Sequence, residues 1–216
     1  MPLINESYFV GQLNIPDTDQ AATLERLNWF IERYEREFLV DVMGYRLYKA
    51  FVTGITQSNV DTRWKNLLKG CEFTNRRSLP DFWIGIVPEV DNLLTLKDSD
   101  SINAVVGNSG GNVLEAGSRN NTNNTKVSMI AHWVYINWML DRYSQTTPIG
   151  ESVPSTINGD VTTPRLKIVE ISNQLAEFVC QLNEFLFMNQ SVYPEWDTAQ
   201  YSMSLSRYRK TNSFGI

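Results

Sequence analysis

Histidine occurs once in this chain, at His132, and cysteine twice, at Cys71 and Cys180. The cysteines stand far apart with no CxxC and no metal-type spacing, so zinc sites built on several Cys and His ligands are excluded. Positive charge is also scarce. The 19 Lys and Arg residues are outnumbered by 24 Asp and Glu, a net charge of −5. Nucleic-acid binding driven by the surface field draws its affinity from neutralised phosphates, and this balance argues against it. The most apolar stretch, Val127 to Leu140, is shorter than the roughly 20 residues a bilayer needs, and His132 and Asn137 interrupt it. The opening MPLINESYFVGQL lacks a basic n-region and a long apolar h-region, from which we expect no signal peptide and a reducing cytoplasm. What is present is a globular composition, 42% hydrophobic and 12% aromatic over 216 residues, enough for one domain with a real core and no staples.

The periodicity is mostly that of helices. Leu24, Leu27, Ile31, Tyr34 and Phe38 recur at steps of three and four after Asp17, which is placed to cap a first turn with Gln20 three residues on. The stripe continues through Val42, Tyr45 and Tyr48 to Phe51, with Gly44 as a weak point. Val60, Trp64, Leu67 and Leu68 predict a short helix ending at Gly70. Phe82 to Val87 fits a short strand, a packed loop or a helix start. Residues 97–125 are rich in Asn, Ser and Gly and read as a long loop or hairpin insertion that the core does not need. Val127 to Leu140 is apolar on every side and predicts a central, nearly enclosed helix. A polar linker over 144–163 leads to Pro164, well placed in the first turn of a last long helix with Ile168, Ile171, Leu175, Phe178, Leu182 and Phe185 on its buried stripe. The expected fold is therefore mainly α, a bundle of about four to five helices. We divide it into a helical domain over 1–196, with the insertion at 97–125, and an extended C-terminal arm over 197–216.

Few residues suggest reaction chemistry. His132 lies within the most apolar helix, where a satisfied core histidine is the expected reading. Gly107-Asn108-Ser109-Gly110-Gly111 lacks the following Gly-Lys-Ser/Thr of a phosphate loop. Asp98 and Asp100 lack the Gly and terminal Glu of a calcium loop. No catalytic, cofactor or metal site is expected. The helical spacing of the tryptophans makes most of them core and some of them interface anchors.

The combination Tyr34-Glu35-x-Glu37-Phe38-Leu39 and then Gly44-x-x-Leu47, a short helix ending Trp64-x-x-Leu67-Leu68-x-Gly70, an apolar helix, a final helix followed by Tyr193-Pro194, and a tail closing on Asn212-x-Phe214-Gly215-Ile216 resembles the small helical head–tail connector proteins of tailed bacteriophages. The likeness is to adaptor or ring proteins of Bacteroidetes-infecting and crAss-like phages, and it covers most of the chain outside 97–125. It implies a virion structural protein, made in the host bacterial cytoplasm, that forms a homo-oligomeric ring at the head–tail junction. Such rings commonly hold twelve copies, stack beneath the portal, contact other tail or ring proteins and surround the DNA channel. DNA would pass through the lumen without sequence-specific binding, in keeping with the negative charge. The insertion departs from the compact connectors and leaves open which ring of the stack this is.

The expected assembly interface lies in the arm. Tyr201, Met203, Leu205, Tyr208, Phe214 and Ile216 are separated by Ser, Arg and Lys, and Met203 and Leu205 alternate with serines like a strand laid on an edge or groove. Such a segment gains too little burial alone to offset its ordering entropy, so a partner is expected to order it. The rival reading from another class is a soluble helical module that binds or regulates a host protein through the same aromatic tail.

Overall fold

The structure, a computed structural model, describes residues 2–88, 127–143, 145–147, 150–152 and 165–210; the 97–125 insertion and the tail residues Phe214 and Ile216 lie outside the described residues. Six helices dominate it: α1 Ala21–Met43, α2 Tyr45–Ile55, α3 Thr62–Lys69, α4 Met129–Tyr143, α5 Arg165–Met188 and α6 Thr198–Arg207. Two small antiparallel hairpins accompany them, β1 Cys71–Thr74 with β2 Pro80–Trp83 and β3 Gln145–Thr147 with β4 Gly150–Ser152. The fold is mainly α.

α4 sits at the centre, as its all-round apolar character requires. Met129, Ile130, Ala131, Val134, Tyr135 and Trp138 are buried between α1 on one side and α5 on the other. α1 runs antiparallel to α4: Arg26 meets Asp141, Phe30 packs 5.1 Å from Trp138, and Phe38 stacks 5.9 Å from Trp133. α5 also runs antiparallel to α4, with Gln174 beside His132 and Lys167 over Tyr135. Ser128 starts α4, accepting from the Ile130 N–H at 3.2 Å while donating to the Ile86 carbonyl at 3.0 Å. That bond ties the helix start to the chain that follows β2.

The long first stripe is two helices. Gly44 takes φ +80°, its N–H still closes α1 on the Val40 carbonyl, and its own carbonyl receives the Tyr48 N–H of α2. Only glycine adopts that φ without strain, so the stripe bends here instead of continuing straight. Capping of α1 differs from expectation. Asp17 has φ +61° and its carbonyl closes a turn on Gln20, so the helix begins at Ala21 with no side-chain cap. α3 is capped by Asp61, whose carboxylate accepts from the Arg63 N–H at 3.1 Å.

The segment from Phe82 resolves as strand β2 leading into a loop, and its partner β1 was not anticipated. The hairpin is held by aromatic packing on α5: Trp83 stacks on Phe185 at 5.6 Å and Phe73 meets Phe185 edge-on at 5.5 Å. The Trp83 indole N–H donates to the Leu67 carbonyl at 3.0 Å. Inside the expected polar linker, 145–147 and 150–152 pair as β3 and β4.

Candidate assembly surface

The C-terminal segment corrects the expectation of an extended arm. From Thr198 to Arg207 it is helix, and it docks on α5 and α1. Asp197 caps it, accepting from the Ala199 N–H at 2.9 Å. The burying period is helical: Tyr201 and Leu205 are half-buried, and Ser204 and Tyr208 are buried. Asp41 on α1 anchors the end, accepting from the Tyr208 hydroxyl at 2.8 Å and from Arg207, while its carbonyl receives Gln200. The Tyr208 ring lies edge-on to Phe38 and Trp133, each 5.7 Å away. Burial first, and then Asp41, hold its hydroxyl well above the usual tyrosine pKa. Ser204 accepts from the Asn183 amide at 2.8 Å in the middle of the contact.

The six expected interface residues thus divide. Tyr208 is an intramolecular anchor, Met203 points outward at 63% exposure, and Phe214 and Ile216 lie outside the described residues. Tyr201 joins a different group. Its ring is 6.0 Å from Phe187 at the end of α5, and Arg76 from the β1–β2 turn lies 4.1 Å over Phe187 and 4.9 Å over Tyr201. Phe187 and Met188 are themselves more than a third exposed. Sequence reasoning did not single out Arg76, Phe187 or Asp41; the spacing of Tyr201, Ser204, Leu205 and Tyr208 behind Asp197 was the signal for the helix.

A second feature forms where α2 and α3 meet. An open cleft of about 390 Å³ is lined by Arg46, Lys49, Thr53, Gln57, Arg63 and Trp64. Gly54 makes room for its wall: a Cβ there would fall 1.9 Å from Nε1 of Trp64. Trp64 cannot retreat, packed against Phe51 and Tyr193 with the Arg63 guanidinium 4.0 Å over its ring. Glu195 holds Arg63 at 3.2 Å, and the Tyr193 hydroxyl donates to the Arg63 carbonyl at 2.7 Å.

The single histidine is held in a structural role. His132 is buried, its Nδ1 2.8 Å from the Ser128 carbonyl and its Nε2 3.1 Å from the Gln174 side chain. The Ser128 carbonyl only accepts, so Nδ1 carries a proton, and burial pushes the ring pKa down, keeping it neutral. The Gln174 side chain in turn meets Gln12 at 3.1 Å, linking α5 to the N-terminal segment. Burial, with Glu72 beside it, pushes the Cys71 thiol up to about 11, and burial raises Cys180 as well, so neither is a ready thiolate. Among the described residues no group of His, Cys, Asp and Glu is placed to hold a metal ion, and no helix is long and apolar enough to cross a membrane. No protein-family model, curated protein or solved structure matches the chain.

Proposed function

We propose that this protein is a virion structural protein, a head–tail adaptor of a tailed bacteriophage that self-associates into a ring between portal and tail around the DNA channel. The supporting observation is a surface of interface character on the β1–β2 turn and the packed helices α5 and α6. Arg76, Phe187 and Tyr201 form a stacked cation–aromatic group, Met188 lies beside Phe187 in the chain, and α6 carries Met203 outward. Aromatic residues, Met and Arg are the types enriched in protein interfaces, and their display on the β1–β2 turn and on helices packed through Asp41, Asn183 and Phe185 lets them bind with little further ordering cost. The sequence patterns of its first long helix, its short helix and its Tyr193-Pro194 segment resemble those of connector proteins. Its net charge of −5 suits a lumen through which DNA must slide. Catalysis is no part of this reading, with the one imidazole buried at the α4–α5 contact.

Light scattering after size exclusion, with negative-stain imaging of the same fractions, tests the proposal. Closed rings are the expected result. A protein that stays monomeric alone, and stays unbound when mixed with the portal and tail proteins encoded beside it, overturns it.

A further inference from the structure

The cleft between α2 and α3 is cationic on an acidic protein. Three of its lining residues, Arg46, Lys49 and Arg63, are basic, and none is acidic. Arg63 is held by Glu195, but Arg46 and Lys49 are exposed and make no ion pair among the described residues. At about 390 Å³ and open along its length, the cleft takes a short stretch of polypeptide with its side chains, more than a single oxyanion. Tyr45, 60% exposed, and Val52 sit on the same helix and supply apolar flanks such as a protein partner covers.

Opposite charge is concentrated elsewhere in the chain. Residues 1–25 contain four carboxylates, Glu6, Asp17, Asp19 and Glu25, and no Lys or Arg. Asp17 and Asp19 stand exposed in the turn just before α1, and neither makes an ion pair among the described residues. The cleft begins just past the other end of α1. Its 23 residues rise about 1.5 Å each and separate the two features by roughly 34 Å. A copy therefore does not fill its own cleft. Two different surfaces at opposite ends of one element are what a heterologous contact needs, and repetition of such a contact closes a ring.

We infer that the α2–α3 cleft is the receiving half of a head-to-tail contact between copies of this chain, filled by the acidic Asp17–Asp19 turn of the next copy. The inference rests on the ring-forming reading above and specifies how its subunits meet. Arg46 and Lys49 pair with the two aspartates, and Tyr45 and Val52 cover the rim of the turn.

A charge exchange tests it, read by sedimentation velocity of the full chain at low and moderate salt. Arg46→Glu with Lys49→Glu, and separately Asp17→Lys with Asp19→Lys, place like charge against like and should each weaken self-association by more than about tenfold. All four positions are exposed, so circular dichroism should be unchanged. Mixing the two variants restores the pairing at every contact and should restore assembly, with the copies alternating. Assembly of both variants at wild-type strength overturns the inference while leaving the ring reading standing. A wild-type chain that stays monomeric in low salt overturns the inference too, and the virion measurement below then decides the wider reading on its own. Binding of a duplex oligonucleotide that Arg46→Glu with Lys49→Glu abolishes, without self-association, would assign the cleft to nucleic acid and also overturns it.

Discussion

Removing the side chain of Tyr208 should undock the last helix, and its size can be worked out from the contacts. The ring is 8% exposed and lies between Phe38 and Trp133, and its hydroxyl donates to Asp41. Tyr208→Phe keeps the ring and loses one hydrogen bond. Asp41 still has Arg207 and is partly solvated, so the cost should fall near about 0.5–1.5 kcal/mol. Tyr208→Ala also loses the aromatic burial, and truncation of a buried aromatic costs about 3–5 kcal/mol unless the site collapses. For a chain of this length that corresponds to a fall in melting temperature of roughly 6–20 °C. Deleting 198–216 should cost at least as much as Tyr208→Ala, because Ser204–Asn183 and Gln200–Asp41 go with it.

The assay is urea unfolding followed by circular dichroism, with the midpoint and slope fitted together. The order wild type, Tyr208→Phe, Tyr208→Ala, with an unchanged slope, is the expected result. A deletion variant that unfolds at the wild-type midpoint would refute the docked helix and restore the free arm read from the sequence. The same anchor predicts alkaline sensitivity. With the native pKa of Tyr208 raised above its unfolded value near 10, its contribution is intact below pH 10 and is lost as pH rises beyond it.

Glu35 should give the stability a slope on the acid side. It is buried, accepts the Leu3 N–H at 2.9 and 3.0 Å, and burial outweighs those bonds to push its pKa up to about 7 from 4.5. A raised carboxyl pKa means that the contribution of Glu35 to stability is greatest below pH 4.5 and falls as pH rises to about 7, by up to about 3 kcal/mol at ~1.4 kcal/mol per unit. The difference between wild type and Glu35→Gln in urea midpoint should therefore change across that window and be flat above it; a constant difference refutes the burial argument. Gly54→Ala gains helix propensity of about 1 kcal/mol but drives its methyl into Trp64, so a net loss of about 1–3 kcal/mol is expected, and a stabilised variant would show that Trp64 is free to move. His132→Ala removes the imidazole's contacts with the Ser128 carbonyl and Gln174 and its packing on Phe178, and should lower stability by about 1–3 kcal/mol; an unchanged unfolding midpoint would count against the structural role.

How much the sequence disclosed depends on where each element's determinants lie. α4 and α5 were legible because their signals are local: unbroken apolar character over 127–140 and Pro164 ahead of a stripe from Ile168 to Phe185. Gly44 marked the bend between α1 and α2 for the same reason. The hairpin strand β1 was not legible, because an alternation of only four residues, Cys71 to Thr74, is too short to stand out, and Phe73 packs on Phe185 more than a hundred residues on. α6 was misread because Met203 and Leu205 alternate with serines. The helix is selected by Asp41 and Asn183, whose side chains meet it only after α1 and α5 have packed. The cationic cleft was hidden too, since Arg46, Lys49 and Arg63 converge only where α3 folds back on α2.

The proposed virion role is tested most directly by mass spectrometry of purified tailed-phage particles for this chain. The account predicts the chain in the particles, in a fixed whole-number ratio to the portal protein and retained when the particles are emptied of DNA. Its absence from intact infectious particles would contradict the account.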